Sequence, residues 1–188
     1  MNQLLVAAML VSSVSGQPPA ANVRDRSEPV CVALEKTLNK NRAEMNTADL
    51  EKVAELKLPH IHIKSFKDHD FAGLTNLKKL HFFSLLHNQG RPTDPIAIDG
   101  KVFADLSKLE ELTMNEQLGL LPDDVFSGLT SLKILDLSNA TLPRLPKSLL
   151  NLPKIETVYF DGRGMSKDDF ETLKAKLGSK HKVRREKK

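Results

Sequence analysis

The residue types best able to do chemistry in this chain gather at His60-Ile61-His62 and, shortly after, Asp68-His69-Asp70. Two imidazoles two residues apart point the same way in extended chain, and a nearby carboxylate would complete a ligand set of the kind a hydrolytic metal needs. The set for a metal-dependent hydrolase is therefore His60, His62 and Asp70. Their spacing matches no metal-binding pattern, and the repeat described next puts them on a surface turn and returning arc, where solvated polar side chains are the simpler reading. The single cysteine, Cys31, has no basic partner beside it in sequence and reads as a small apolar residue on a helix with Val30 and Leu34. Asp123-Asp124 and Asp168-Asp169 read as turn and first-turn helix acids, not as paired catalytic carboxylates. With no Ser/His/Asp motif, phosphate-cradling glycine loop or zinc spacing, the sequence points away from an enzyme, and no metal or other cofactor is expected.

What would position any such residues is a repeat. In Leu132-Lys-Ile-Leu135-Asp-Leu137-Ser-Asn-Ala-Thr-Leu142, Leu135 and Leu137 alternate like a short strand and the chain turns at Ser138-Asn139. Shifting this template by 23 residues finds Leu109, Leu112 and Met114 on one side and Ile155, Val158 and Phe160 on the other. Two further copies begin at Leu77-Lys-Lys-Leu80-His-Phe82 and Val53-Ala-Glu-Leu56-Lys-Leu58. A second motif, Phe71-Ala-Gly-Leu74, Phe103-Ala-Asp-Leu106 and Phe126-Ser-Gly-Leu129, recurs in one register. One such unit cannot bury its own leucines, so neighbouring units must stack.

The run Leu121-Pro-Asp-Asp-Val-Phe126-Ser-Gly-Leu129-Thr-Ser-Leu132-Lys-Ile-Leu135 resembles the leucine-rich repeats (LRR) of extracytoplasmic proteins. The resemblance covers about residues 53–165, in about five repeats, and implies an α/β fold: a short curved solenoid with a parallel sheet of about five strands on its concave side. The family's usual Asn, three residues after the third leucine, is replaced by Ile61, Leu85, Gln117, Ala140 and Arg163, so backbone groups or the nearby Asn115 and Asn139 must satisfy the turns. Residues 30–52, with Val30, Leu34 and Leu38 at helical spacing and Thr47-Ala-Asp-Leu50 opening a second helix, resemble the helical amino-terminal cap of bacterial secreted leucine-rich repeat proteins.

The remaining segments are extensions and one insertion. Residues 1–16 carry an apolar run from Leu4 to Val11 and small residues before Gln17, as a signal peptide does, and the run is too short for a transmembrane segment. Residues 17–29 read as a polar linker with Pro18-Pro19. The segment 87–100, rich in Gly, Pro and Asx, is an insertion that loops out after the second strand, either neutral or used in binding. Residues 166–178 read as a carboxyl-terminal cap helix: Ser166 caps it, Phe170, Leu173 and Leu177 share a face, and Gly178 ends it. Residues 179–188 are a basic tail. From Lys174 on, eight Lys or Arg against Glu186 alone give +7, so the rest of the chain, in a total of +4, carries −3. That tail lacks interleaved aromatics, so specific nucleic-acid binding is not expected of it; nonspecific contact with an anionic surface is the electrostatic alternative.

The register also names the residues that face outward from the concave sheet. The central outward position holds Lys57, His81, Thr113, Asp136 and Tyr159, and the next holds Pro59, Phe83, Asn115, Ser138 and Asp161. His81, Phe83, Asn115, Asp136, Tyr159 and Asp161 are the candidate binding patch, with Phe83 and Tyr159 as aromatic anchors. The expected molecule is thus a monomeric, exported, non-enzymatic module that recognises a protein partner. A surface or wall-associated structural protein held by the tail is the alternative, and the metal-dependent hydrolase a third.

Overall fold

The computed structural model describes residues 23–58, 65–82, 95–114, 118–138, 140–160 and 162–182. The leader, the start of the linker (17–22), Pro59, His60 and His62, Phe83, residues 87–94 of the insertion, Asn115, Asn139, Asp161 and the end of the tail (183–188) lie outside the described residues.

Each repeat supplies one strand: β1 (Glu55–Leu58), β2 (Lys79–Phe82), β3 (Glu111–Met114), β4 (Ile134–Asp136) and β5 (Thr157–Tyr159). They pair in sequence order, all parallel, so that Leu56, Leu80, Leu112, Leu135 and Val158 form one row across the sheet. All five are fully buried. Burying one such side chain stabilises by about 1.5–3 kcal/mol, and the row exists only if successive units stay in register. The chain is therefore a parallel solenoid whose leucines fill one continuous core.

The recurring phenylalanines form a ladder through that core. Phe71 and Phe103 stack at 6.0 Å between ring centroids, and Phe103 and Phe126 at 6.4 Å with ring planes nearly parallel, 5° apart. Phe82 meets Phe71 and Phe103 edge-on. Such ring pairs contribute about 0.5–1.5 kcal/mol beyond their buried area. Where the family's Asn is missing, backbone bonding joins successive turns among the described residues: Leu118 N–H donates to the Thr141 carbonyl at 3.0 Å, and Leu142 N–H to that of Arg163 at 3.0 Å.

Two departures from the sequence reading concern the ends. First, the sheet has six strands: β6 (His181–Lys182) pairs with β5, placing Lys182 beside Tyr159, and Phe160 N–H donates to the Lys182 carbonyl at 3.1 Å. The start of the basic tail is thus part of the solenoid, because β5 would otherwise leave its backbone edge open. Second, the later part of the expected linker is ordered into the fold. Residues Val23–Asp25 form a 3-10 turn, Val23 and Arg26 are buried, and helix α1 (Glu28–Leu38) already begins at Glu28 with Pro29 in its first turn.

Helix α1 packs on β1. The following helix α2 (Thr47–Leu50) is closed by a capping box in which Asn46 accepts from Asp49 N–H and Asp49 accepts from Asn46 N–H. At the other end, helix α3 (Lys167–Leu177) starts at Ser166, whose hydroxyl accepts from Asp169 N–H. It buries Leu173 and Leu177 and sets Phe170 edge-on to Phe160 at 6.1 Å.

Candidate functional site

Because successive strands are in register, side chains that alternate away from the leucines form rows on the concave face. One row runs Glu55, Lys79, Glu111, Ile134 and Thr157; the other runs Lys57, His81, Thr113, Asp136, Tyr159 and Lys182. Opposite charges alternate across β1 to β3 and bind one another. Lys57 lies 2.8 Å from Glu55, and Lys79 lies 3.3 Å from Glu111. Just outside the sheet, Lys133 meets Glu110 at 2.6 Å. Across β4 and β5 the rows turn less charged, with Ile134, Thr157 and Tyr159 half-buried. The face thus divides into an ion-paired half and a half with apolar and aromatic surface.

Of the six candidate binding residues, the described ones are His81, Asp136 and Tyr159, and the register puts all three in one row. His81 and Tyr159 are half-buried. Asp136 departs from expectation: it points to the concave side but is only 3% exposed, and its Oδ1 accepts from both Ser138 N–H (3.0 Å) and Ser138 Oγ–H. The carboxylate ties the strand to the turn that follows it, the role of an Asx turn, and so shapes the floor of the face from within. Thr113 is likewise buried, with its Oγ1 3.1 Å from His81 Nδ1. Burial holds the His81 imidazole below the ordinary histidine value, against the pull of Glu111 and Glu55.

The hydrolase set loses its carboxylate. Asp70 is fully buried, and its oxygens accept from Ser27 N–H (2.6 Å), Ser27 Oγ–H (2.7 Å) and Lys67 N–H (2.8 Å). The same locus receives Arg26, whose guanidinium donates to the backbone carbonyls of Asp70 and, at 2.6 Å, of Ala72. Burial pulls the Arg26 pKa down while the Asp70 charge supports it. Asp70 is therefore a clamp between the amino-terminal segment and the first repeat, not a ligand. Among the described residues, no group of three or more His, Cys, Asp or Glu is arranged to hold a metal ion.

Sequence reasoning missed this clamp, although a signal was present. The residue before each ladder phenylalanine is Asp70, Val102 and Val125 in turn, and all three are buried. A carboxylate where its repeats carry Val needs a polar partner from outside the repeat, and the unit bearing it is the one next to the amino-terminal helices. Cys31 is buried against the same segment, with its Sγ 3.1 Å from the Val23 carbonyl oxygen. Burial pushes its thiol pKa up, the direction opposite to a nucleophile's need.

A parallel sheet with one leucine-rich unit per strand, a shared apolar core and an open concave face defines the class: a leucine-rich-repeat solenoid. No family model and no curated protein sequence matches the chain. Among solved structures, an internalin C2 from Listeria monocytogenes strain 4b F2365 is similar at 16% identity, with 85% of this chain and 87% of that chain covered and a TM-score of 0.32. The class rests on this chain's own register and core. Among the described residues, no helix is long and apolar enough to cross a membrane.

Proposed function

We propose that the chain is a non-enzymatic recognition module, exported by its leader, that binds a protein partner across the concave sheet. The observation that carries this reading is the in-register sheet itself, which lines side chains from every repeat into continuous outward rows. An array of that kind presents a wide surface at no cost in ordering loops. In this reading His81 and Tyr159 contact the partner together with Phe83, Asn115 and Asp161, and Asp136 supports them from below. Tyr159 is the anchor on the β4–β5 half, where half-buried Ile134 and Thr157 adjoin it, and an aromatic ring in such surroundings is the type that dominates interface energy. The apolar run from Leu4 to Val11 supports export.

The test is affinity capture from the native source followed by calorimetry on the captured protein. Tyr159→Ala should weaken binding by more than about 1 kcal/mol, as should Phe83→Ala. Removal of residues 183–188 should leave binding at moderate salt intact, since exposed charges are screened beyond about 8 Å at physiological ionic strength. The cut must fall after Lys182, because an earlier one removes β6. Binding that is lost with residues 183–188 and unchanged in both aromatic variants would replace this reading with attachment through the tail.

A further inference from the structure

Towards the amino-terminal end of the concave face three strands meet at one ionisable side chain. His81 on β2 stands in register with Lys57 on β1 and Thr113 on β3. Its Nδ1 is 3.1 Å from Thr113 Oγ1 and its Nε2 is 3.7 Å from Glu55 Oε1. That same Glu55 oxygen takes the Lys57 ammonium at 2.8 Å. The His81 side chain is 12% exposed, against 45% for Glu55 and 61% for Lys57. The charged groups that face the ring among the described residues are Glu55 and Lys57 on β1, Lys79 on its own strand and Glu111 on β3. Glu111 is itself engaged by Lys79 at 3.3 Å.

We propose that His81 is a proton-driven switch of the concave sheet: its imidazolium, formed on acidification, draws Glu55 away from Lys57 and fixes the Thr113 hydroxyl as an acceptor. A neutral imidazole carries one N–H and one acceptor nitrogen, so it donates to only one of its two flanking oxygens. The imidazolium donates from both nitrogens, and Thr113 Oγ1 and Glu55 Oε1 lie on the two sides required. The gap of 3.7 Å is longer than a hydrogen bond, but Glu55 is exposed enough to swing inward. Lys57 is the more exposed competitor on a flexible stem, and it is the partner that yields. Acid thus places one added positive charge on β2, near the amino-terminal end of the face, pulls one carboxylate over the sheet and releases one ammonium at the β1 side. The switch stands on its own geometry; only its effect on a bound protein rests on the concave-face reading above.

The experiment is an NMR titration of the full chain alone from pH 8 to pH 4.5, following the His81 ring, the Thr113 methyl and the Lys57 Cε–H groups. The expected result is a His81 midpoint below the ordinary value of about 6.5, with Thr113 and Lys57 moving at that same midpoint. Glu55→Gln should lower the proton affinity of His81 by roughly threefold or more, and Lys57→Ala should raise it by a similar factor. Both substitutions are at exposed positions, so the fold survives them. A Lys57 signal that ignores the His81 titration, or a His81 midpoint unchanged in both variants, overturns the switch. Neither outcome involves a partner, so the recognition reading stands or falls separately.

Discussion

Replacing Asp70 by Ala tests how the amino-terminal segment is fastened to the repeats. The carboxylate is fully buried and accepts from two backbone N–H groups, of Ser27 and Lys67, and from the Ser27 hydroxyl. The hydroxyl rotates to another acceptor, but the two part-buried amides lose theirs, at a cost towards the low end of the roughly 1–3 kcal/mol of a stranded buried donor. Arg26 is 3% exposed, and with Asp70 gone its charge loses the compensating carboxylate beside it. Its Nε already lacks a hydrogen-bond partner among the described residues, so little reserve remains to absorb the change. Removing one member of a buried charged cluster typically costs about 3–5 kcal/mol, and that is the loss expected for Asp70→Ala in urea denaturation followed by circular dichroism. Asp70→Asn keeps the shape and one acceptor and should fall between Asp70→Ala and the parent. Hydrogen exchange should show α1 losing more protection than α3, because the clamp joins residues 26–27 to residues 67–72. Arg26→Met should cost less in the Asp70→Ala background than in the parent. A parent-like midpoint for Asp70→Ala, within about 1 kcal/mol, would refute the clamp as a source of stability.

Three other perturbations probe the core and the surface charges. Phe103→Ala removes the middle ring of the ladder, fully buried between Phe71 and Phe126, and should cost about 3–5 kcal/mol by the same denaturation assay. Gly128→Ala would place a methyl group 2.9 Å from the Ala104 Cα and from the carbonyl oxygens of Phe103 and Ala104, so backbone must separate; a loss of about 1–3 kcal/mol is expected, read as a lowered melting temperature. Acid should unfasten the amino-terminal helices: hydrogen bonds from Arg42 hold Glu35 at about 2, and Lys40 and Lys52 hold Asp49 well below the usual carboxylate range. Both folded-state values are depressed, so the stability they contribute is present above the unfolded values near about 4 and is lost as pH falls through the folded ones, a loss that Arg42→Gln should make shallower in a series of melts from pH 6 to pH 2.

How much of this was legible in the sequence depends on whether a residue answers to its own repeat or to something outside it. The leucine rows were readable because a period near 23 residues repeats the same demand in every unit, and a one-residue slip would turn each strand's leucines to solvent. The ladder phenylalanines followed for the same reason. Asp136 is harder to read, because strand alternation fixes which way a side chain leaves the sheet but not how exposed it is; Ser138, two residues on, is the clue to an Asx turn. Sequence proximity sets Asp70 beside His60 and His62, whereas its partners Ser27 and Arg26 lie more than forty residues upstream. Strand β6 was hidden by its composition, since His181-Lys182 in a basic run carries no apolar alternation.

The misses at Asp70 and β6 share a cause that bears on how the molecule holds together. In a solenoid each interior unit is completed by neighbours made to the same pattern, whereas the first and last units face segments with patterns of their own. At the amino end the chain supplies a buried arginine, a buried carboxylate and α1 packed on β1. At the carboxyl end it supplies Phe170 against Phe160, buried Leu173 and Leu177, and two residues of strand laid along β5. The first solution adds, to the buried apolar area of Val30, Ala33 and Leu34, charge and hydrogen bonds whose worth depends on every donor being met. The second uses apolar area and backbone pairing, which tolerate substitution better. Single polar substitutions should therefore loosen the amino-terminal end of the sheet, nearest His81, more readily than the Tyr159 end.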